Sequence, residues 1–192
     1  VIRFVLLLLG LSRCAAAVEL HIQFGALERM LTEQVFSQEG RRYVHGSKTN
    51  KCNFAYLEKP QVRGEGGRLR MKARFTGRSA LNVVGQCVGL GDAFDVVITA
   101  VPVYKNGAIA LQEVKVTSEG KSGYYIRRVC AAMQASLAKD FKYALEAEAQ
   151  KMLEEGAAQP GYKREVRKFA APDIRVTDDA LVLQVDFELT VK

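Results

Sequence analysis

Residues 122–155 read SGYYIRRVCAAMQASLAKDFKYALEAEAQKMLEE, and the way this stretch folds decides what the rest of the chain must do. Its apolar residues Ile126, Val129, Cys130, Met133, Leu137, Phe141, Ala144, Leu145 and Met152 recur at steps of three and four, the repeat of one helix face. The spacing predicts a single helix from Ser122 to Glu155, stopped by Gly156, Pro160 and Gly161. At 1.5 Å per residue such a helix would reach roughly 50 Å, longer than a compact domain of this size usually needs. A layer that covers it has to twist strongly and roll around it.

The upstream sequence supplies strands for that layer. Gly67–Arg78, GRLRMKARFTGR, alternates Arg68, Arg70, Lys72 and Arg74 with Leu69, Met71, Ala73 and Phe75, which predicts a strand with one cationic and one apolar face. CNFAYLEKPQV precedes it through RGEGG, a hairpin signal. The small, Gly-rich SALNVVGQCVGLGD reads as a loop, and AFDVVITAVPVY after it is apolar on both faces, as a strand covered on both sides would be. Asn106-Gly107 suits a two-residue turn into AIALQEVKVTS, whose alternation slips near Gln112 and Glu113 as at a bulge. At the front, Val18, Leu20, Ile22 and Phe24 alternate before a helix carried by Leu27, Met30, Leu31 and Val35, and Ser37–Asn50 reads as a loop. DIRVT and ALVLQVDFELTVK close the chain on either side of a turn at Asp178-Asp179. The expected fold is therefore α+β: a strongly twisted antiparallel sheet wrapped around one long C-terminal helix, with a shorter N-terminal helix.

The opening VIRFVLLLLGLSRCAAAVEL has the order of a bacterial secretory signal peptide, with Arg3, an apolar run from Phe4 to Leu11, and Ala15-Ala16-Ala17 before a cut after Ala17. That leaves residues 18–192 as one domain, periplasmic or secreted. Two alternatives are lipidation at Cys14, although Arg13 stands where such sites want a small residue, and a plain N-terminal membrane anchor. The formal charge of +7 is concentrated: Glu39–Arg78 holds eleven Lys or Arg against three Glu. In an oxidising compartment three of the cysteines matter. A hairpin turning near Gly64–Gly67 sets Cys52 opposite about residue 79, with Cys87 at the same end, so the expected bond is Cys52–Cys87 and Cys130 is expected to be a buried helix residue. With only two histidines, His21 and His45, no metal site is expected.

TAVPVYKNGAIALQEVKV, Thr99–Val116, resembles the central hairpin of YceB-type bacterial envelope lipoproteins, and ELHIQFGALERML resembles the start of their first helix. Those proteins are similar to one half of the tubular lipid-binding (TULIP) superfamily, which includes bactericidal/permeability-increasing protein and SMP domains. The resemblance implies a half-barrel whose sheet and helix leave an apolar groove for acyl chains. It implies no catalytic residues, and the missing lipobox departs from the YceB pattern.

No G-x-S-x-G, P-loop or paired histidines occur, and Gly85, Gly89 and Gly91 lack the strand and helix of a phosphate cradle, so neither enzyme activity nor a cofactor is expected. The leading functional expectation is an exported protein holding a lipid or other hydrophobic small molecule in a groove between sheet and long helix. Its lining would be Met71, Phe75, Phe94, Ile98, Ile126, Met133, Leu137 and Phe141. Arg68, Arg70, Lys72 and Arg74 would meet head groups of an anionic membrane surface. The bland reading of that face is a solvated one, its charges matched in part by Asp186 and Glu188 if the last strand lies alongside. The rival reading is an envelope interaction module with a closed core that binds a polyanion or protein partner through the basic strand. Nucleic acid is not expected, because export and the lack of a stacking platform argue against it. A half-barrel with an open end also leaves room for a homodimer.

Overall fold

The computed structural model describes residues 18–155 and 163–192. The cut after Ala17, Cys14 and the helix stop at Gly156, Pro160 and Gly161 lie outside those residues. In chain order the elements are β1 (Val18–Gln23), α1 (Phe24–Gln34), β2 (Arg41–His45), β3 (Asn53–Glu65), β4 (Arg68–Val83), β5 (Gln86–Lys105), β6 (Ala108–Glu119), α2 (Tyr124–Asp140), β7 (Lys142–Tyr143), α3 (Leu145–Glu155), β8 (Arg164–Val176) and β9 (Ala180–Val191). All strand pairs are antiparallel. A six-stranded curled sheet in the order β2-β3-β4-β5-β6-β7 forms a half-barrel, and a separate sheet has the order β1-β9-β8.

The molecule is mostly β, which corrects the expected α+β fold with one long C-terminal helix. Residues 122–155 form two short helices, with a strand between them. At Phe141 the backbone turns extended (φ −71°, ψ 117°), closing α2, and Lys142-Tyr143 then pair with Ala110 and Ile109 at the edge of β6. Phe141 and Tyr143 are aromatic residues that sit well in strands, and an open sheet edge offers their backbone partners as good as a helix would. Glu146 N–H donates to the Gly107 carbonyl at 3.0 Å, seating α3 against the β5–β6 turn. The apolar spacing runs unbroken through this junction, so periodicity alone hides it.

Three other expectations change. The segment read as a loop at 37–50 contains β2, and SALNVVGQCVGLGD is not a loop but the outer part of the β4–β5 hairpin. The last strand, β9, pairs with β1 and β8 rather than β4, so Asp186 and Glu188 do not face the cationic strand. The slip at Gln112 and Glu113 is present: Val101 opposes Gln112 and Thr99 opposes Lys115, with Glu113 at φ 49°. A second bulge at Lys59-Pro60 sets Val62 opposite Met71 after Leu57 opposite Phe75, turning Val62 back onto the inner face.

Along its strands, the inner face of the six-stranded sheet has three zones. At the end carrying the β3–β4 and β5–β6 turns, Val62, Ile109 and the half-buried Leu69, Met71 and Tyr104 pack with Phe24, Leu145, Ala171, Leu181, Leu183 and Val185, so α1, α3 and the three-stranded sheet cover it. In the middle, Leu57, Ala73, Phe75, Phe94, Val96, Ile98, Val114 and Val116 pack against Phe36 and against Ile126, Cys130 and Met133 of α2. Gln134 of α2 also accepts from the Val116 N–H at 3.2 Å, which caps part of the β6 edge. In the third zone, beyond Phe75 and Phe94, the hairpin continues with none of the described elements over it.

Candidate functional site

β4 and β5 remain in register without a slip from Leu69 opposite Ala100 to Val83 opposite Gln86. Residues directly opposed in an antiparallel pair share a face, and faces alternate along each strand. Leu81, Val83, Val88 and Leu90 therefore lie on the face that holds Phe75 and Phe94 further in. Phe75 and Phe94 are 2% and 1% exposed, whereas Leu81 is 76%, Leu90 82% and Val84, at the turn, 99% exposed. The core face thus runs on past its cover, across Gly77, Asp92 and Ser79, to a second apolar group. Val84 and Gly85 both have positive φ (52° and 81°), the geometry of a two-residue hairpin turn, and Asn82 Oδ1 accepts from the Gly85 N–H at 2.9 Å. Gly89 lies so close to β4 that a Cβ there would overlap the Ser79 carbonyl oxygen.

The Cys52–Cys87 disulfide expected from the hairpin geometry is present, with its Cα atoms 5.2 Å apart. Cys52 sits in the bend before β3 and Cys87 on β5, on either side of β4. Strands two apart lie roughly 10 Å apart in a flat sheet, so the bond draws the hairpin into a curl. Cys130, the free cysteine among the described residues, is buried, and its burial pushes the thiol pKa up.

The eight residues expected to line a groove converge, but mostly on one another. Phe75, Phe94, Ile98, Ile126 and Met133 are buried in one cluster, Met71 and Leu137 pack half-buried against it, and Phe141 is half-buried where α2 ends. Phe75 and Phe94 stack tilted at 4.9 Å between ring centroids. A surface groove of about 460 Å³ runs between β6 and α2 past Val114, Val116, Ala131 and Ala135. None of the eight lines it.

The cationic strand faces acids from its neighbours. Arg70 pairs with Glu65 of β3 at 3.0 Å, Arg74 with Asp95 of β5 at 3.0 Å, Lys72 with Asp95 at 3.5 Å and with Glu119 of β6, and Arg68 with Glu113 of β6. Hydrogen bonds from Lys72 and Arg74 hold Glu119 and Asp95 below the usual carboxylate range, and Glu119 in turn raises Lys72. This explains the alternating arginines as half of a cross-strand ion-pair lattice. Sequence reading missed it because the pairing acids lie on β3, β5 and β6.

Other cations differ. Among the described residues, Lys51, Arg78, Arg127 and Arg128 form no ion pair. Lys51 adjoins Cys52, Arg78 adjoins Ser79, and Arg127 and Arg128 lie in the first turn and a half of α2.

His21 lies exposed 3.4 Å from Glu19, and His45 is exposed on β2. Among the described residues no group of three or more His, Cys, Asp or Glu is placed to hold a metal ion, and no helix is long and apolar enough to cross a membrane. No protein-family model matches the chain, and no curated protein matches it.

Proposed function

We propose that this protein is an exported, non-catalytic binding module of the cell envelope that meets an apolar or amphipathic partner with the uncovered end of its six-stranded sheet. The observation that carries this reading is the placement of Leu81, Val83, Val88 and Leu90 on the core face, past the last element that covers it. Apolar side chains set out in water, on a hairpin held by a disulfide, favour a partner that removes that area from solvent, at about 25 cal/mol per Å². The disulfide also fits an oxidising compartment, periplasmic or extracellular. The packing of Phe75, Phe94, Ile98, Ile126 and Met133 on one another disfavours an acyl-chain groove lined by them, and the ion-paired face of β4 disfavours that strand as the polyanion-binding surface.

Detergent-micelle titration followed by NMR tests the reading. Shifts confined to residues 79–91 are the expected result. Shifts centred on the methyl groups of Met71 and Met133 would instead favour a ligand held between sheet and helices, and an unperturbed hairpin would end the proposal.

A further inference from the structure

The hairpin end gathers three kinds of side chain. From Ser79 to Gly91 the chain carries no ionisable group apart from Cys87, which is in the disulfide. Leu81, Val83, Val84, Val88 and Leu90 are all exposed there. Around the base stand cations without acidic partners, Lys51 beside the tethered Cys52 and Arg78 beside Ser79. Glu119 opposes Asp95, so β6 ends toward this same end of the sheet, and Lys121 just beyond it binds Asp92 at 2.6 Å. The chain then enters α2 through Tyr124 and Tyr125, 72% and 46% exposed, followed by Arg127 and Arg128. Acids nearby are engaged: Asp92 by Lys121, and Glu39 by Lys48.

An uncharged aliphatic tip, exposed tyrosines and a fringe of free cations match the depth profile of a membrane interface. There aliphatic groups enter the acyl boundary, tyrosines sit at head-group level and cations meet anionic lipid. We infer that this end docks on a bilayer containing anionic phospholipids, with residues 81–90 entering the interface and Lys51, Arg78, Tyr124 and Tyr125 toward the head-group side. The inference rests on the proposed function and names its partner. Charge complementarity selects this partner over an apolar protein groove, which would leave the unpaired cations with nothing to meet.

Co-sedimentation with vesicles tests it, using the full protein with its disulfide intact and phosphatidylcholine with or without phosphatidylglycerol. The expected result is binding that requires phosphatidylglycerol. Leu81→Asn combined with Leu90→Asn should weaken it at least about tenfold, because two aliphatic anchors are lost. Lys51→Gln and Arg78→Gln should each weaken it about fivefold, whereas Arg74→Gln, whose charge is already matched, should leave it nearly unchanged. Both leucines are exposed, so the variants should keep the native circular dichroism. An independent readout is an environment-sensitive dye on Val84→Cys, which should shift to the blue on adding vesicles. Binding that disappears with salt yet ignores the leucine changes would overturn the inference, as would a dye that stays in water. If no vesicle binds while the hairpin still shifts with micelles, the bilayer partner is wrong and the proposed function stands. If the labelled tip crosslinks to an envelope protein and no vesicle binds, the partner is protein and the inference falls.

Discussion

Phe75 and Phe94 sit directly opposite each other on β4 and β5 at the centre of the middle zone, and both are almost fully buried. Removing either ring leaves a void that α2 cannot follow inward without breaking its contacts on β6. Phe75→Ala should therefore lower the unfolding free energy by about 3–5 kcal/mol, read by urea denaturation. Gly64 acts by closeness: a Cβ there would overlap the backbone carbonyl oxygen of Thr177, at the β8–β9 turn. Gly64→Ala should push that turn off β3 and destabilise by about 1–3 kcal/mol, with the largest loss of amide protection in β8 and β9. Substitution of the exposed Leu81 by Thr should change stability by less than about 0.5 kcal/mol. That contrast, between a buried ring and an exposed apolar side chain on the same face of the sheet, separates what holds the fold from what is left over for a partner.

Among the elements, the β4–β5 hairpin is tied to the start of β3 by the Cys52–Cys87 bond, which joins residues 35 apart in sequence. Replacing both cysteines by Ser should reduce stability by up to about 4 kcal/mol on the chain-entropy account and free amide exchange in residues 79–91 first. The bond was legible in the sequence, because the register of the β3–β4 hairpin, which sets Cys52 near Cys87, is a local property. The full length of the β4–β5 hairpin was not: glycines at 85, 89 and 91 signal a loop, yet here Gly85 makes the turn and Gly89 permits the strands' close approach. Splitting of the expected long helix was likewise illegible. Leu137, Phe141, Ala144 and Leu145 keep helical spacing on paper, and no Gly or Pro marks the break. What decides it is the open edge of β6 at Ile109 and Ala110, a partner that no local pattern announces.

For the whole molecule, the ion-pair lattice sets how stability responds to pH. Asp95 and Glu119 ionise more readily when folded, so their contribution is fully present above the ordinary carboxylate range and is lost as pH falls through their lowered values. Lys72, raised by Glu119, contributes fully below the ordinary lysine value and loses its share as pH rises through the raised one. Thermal denaturation should show a flat plateau from about pH 6 to 9 and a decline below about pH 4, shallow because these groups are largely solvated. Asp95→Asn with Glu119→Gln should unmask the β4 cations and raise the salt needed to elute the protein from heparin. Of the nine strands among the described residues, seven could be placed at least in part from alternation, whereas β2, β7 and the division into two sheets could not. Val18 opposes Val185, near the other end of the chain, and that pairing rests on long-range packing of Leu181 and Leu183 rather than on any neighbour in sequence.

Cys130 gives the protein an internal probe. Its thiol is largely buried under α2 and harder to ionise than a free one, so a soluble disulfide reagent should modify it slowly, through the β6–α2 groove that it lines. With the other two described cysteines tied to each other, the rate of modification at this single atom reports how accessible the β6–α2 groove is, without any added label. A bound partner at the hairpin should slow that rate only if the outer strand end and the helix move together.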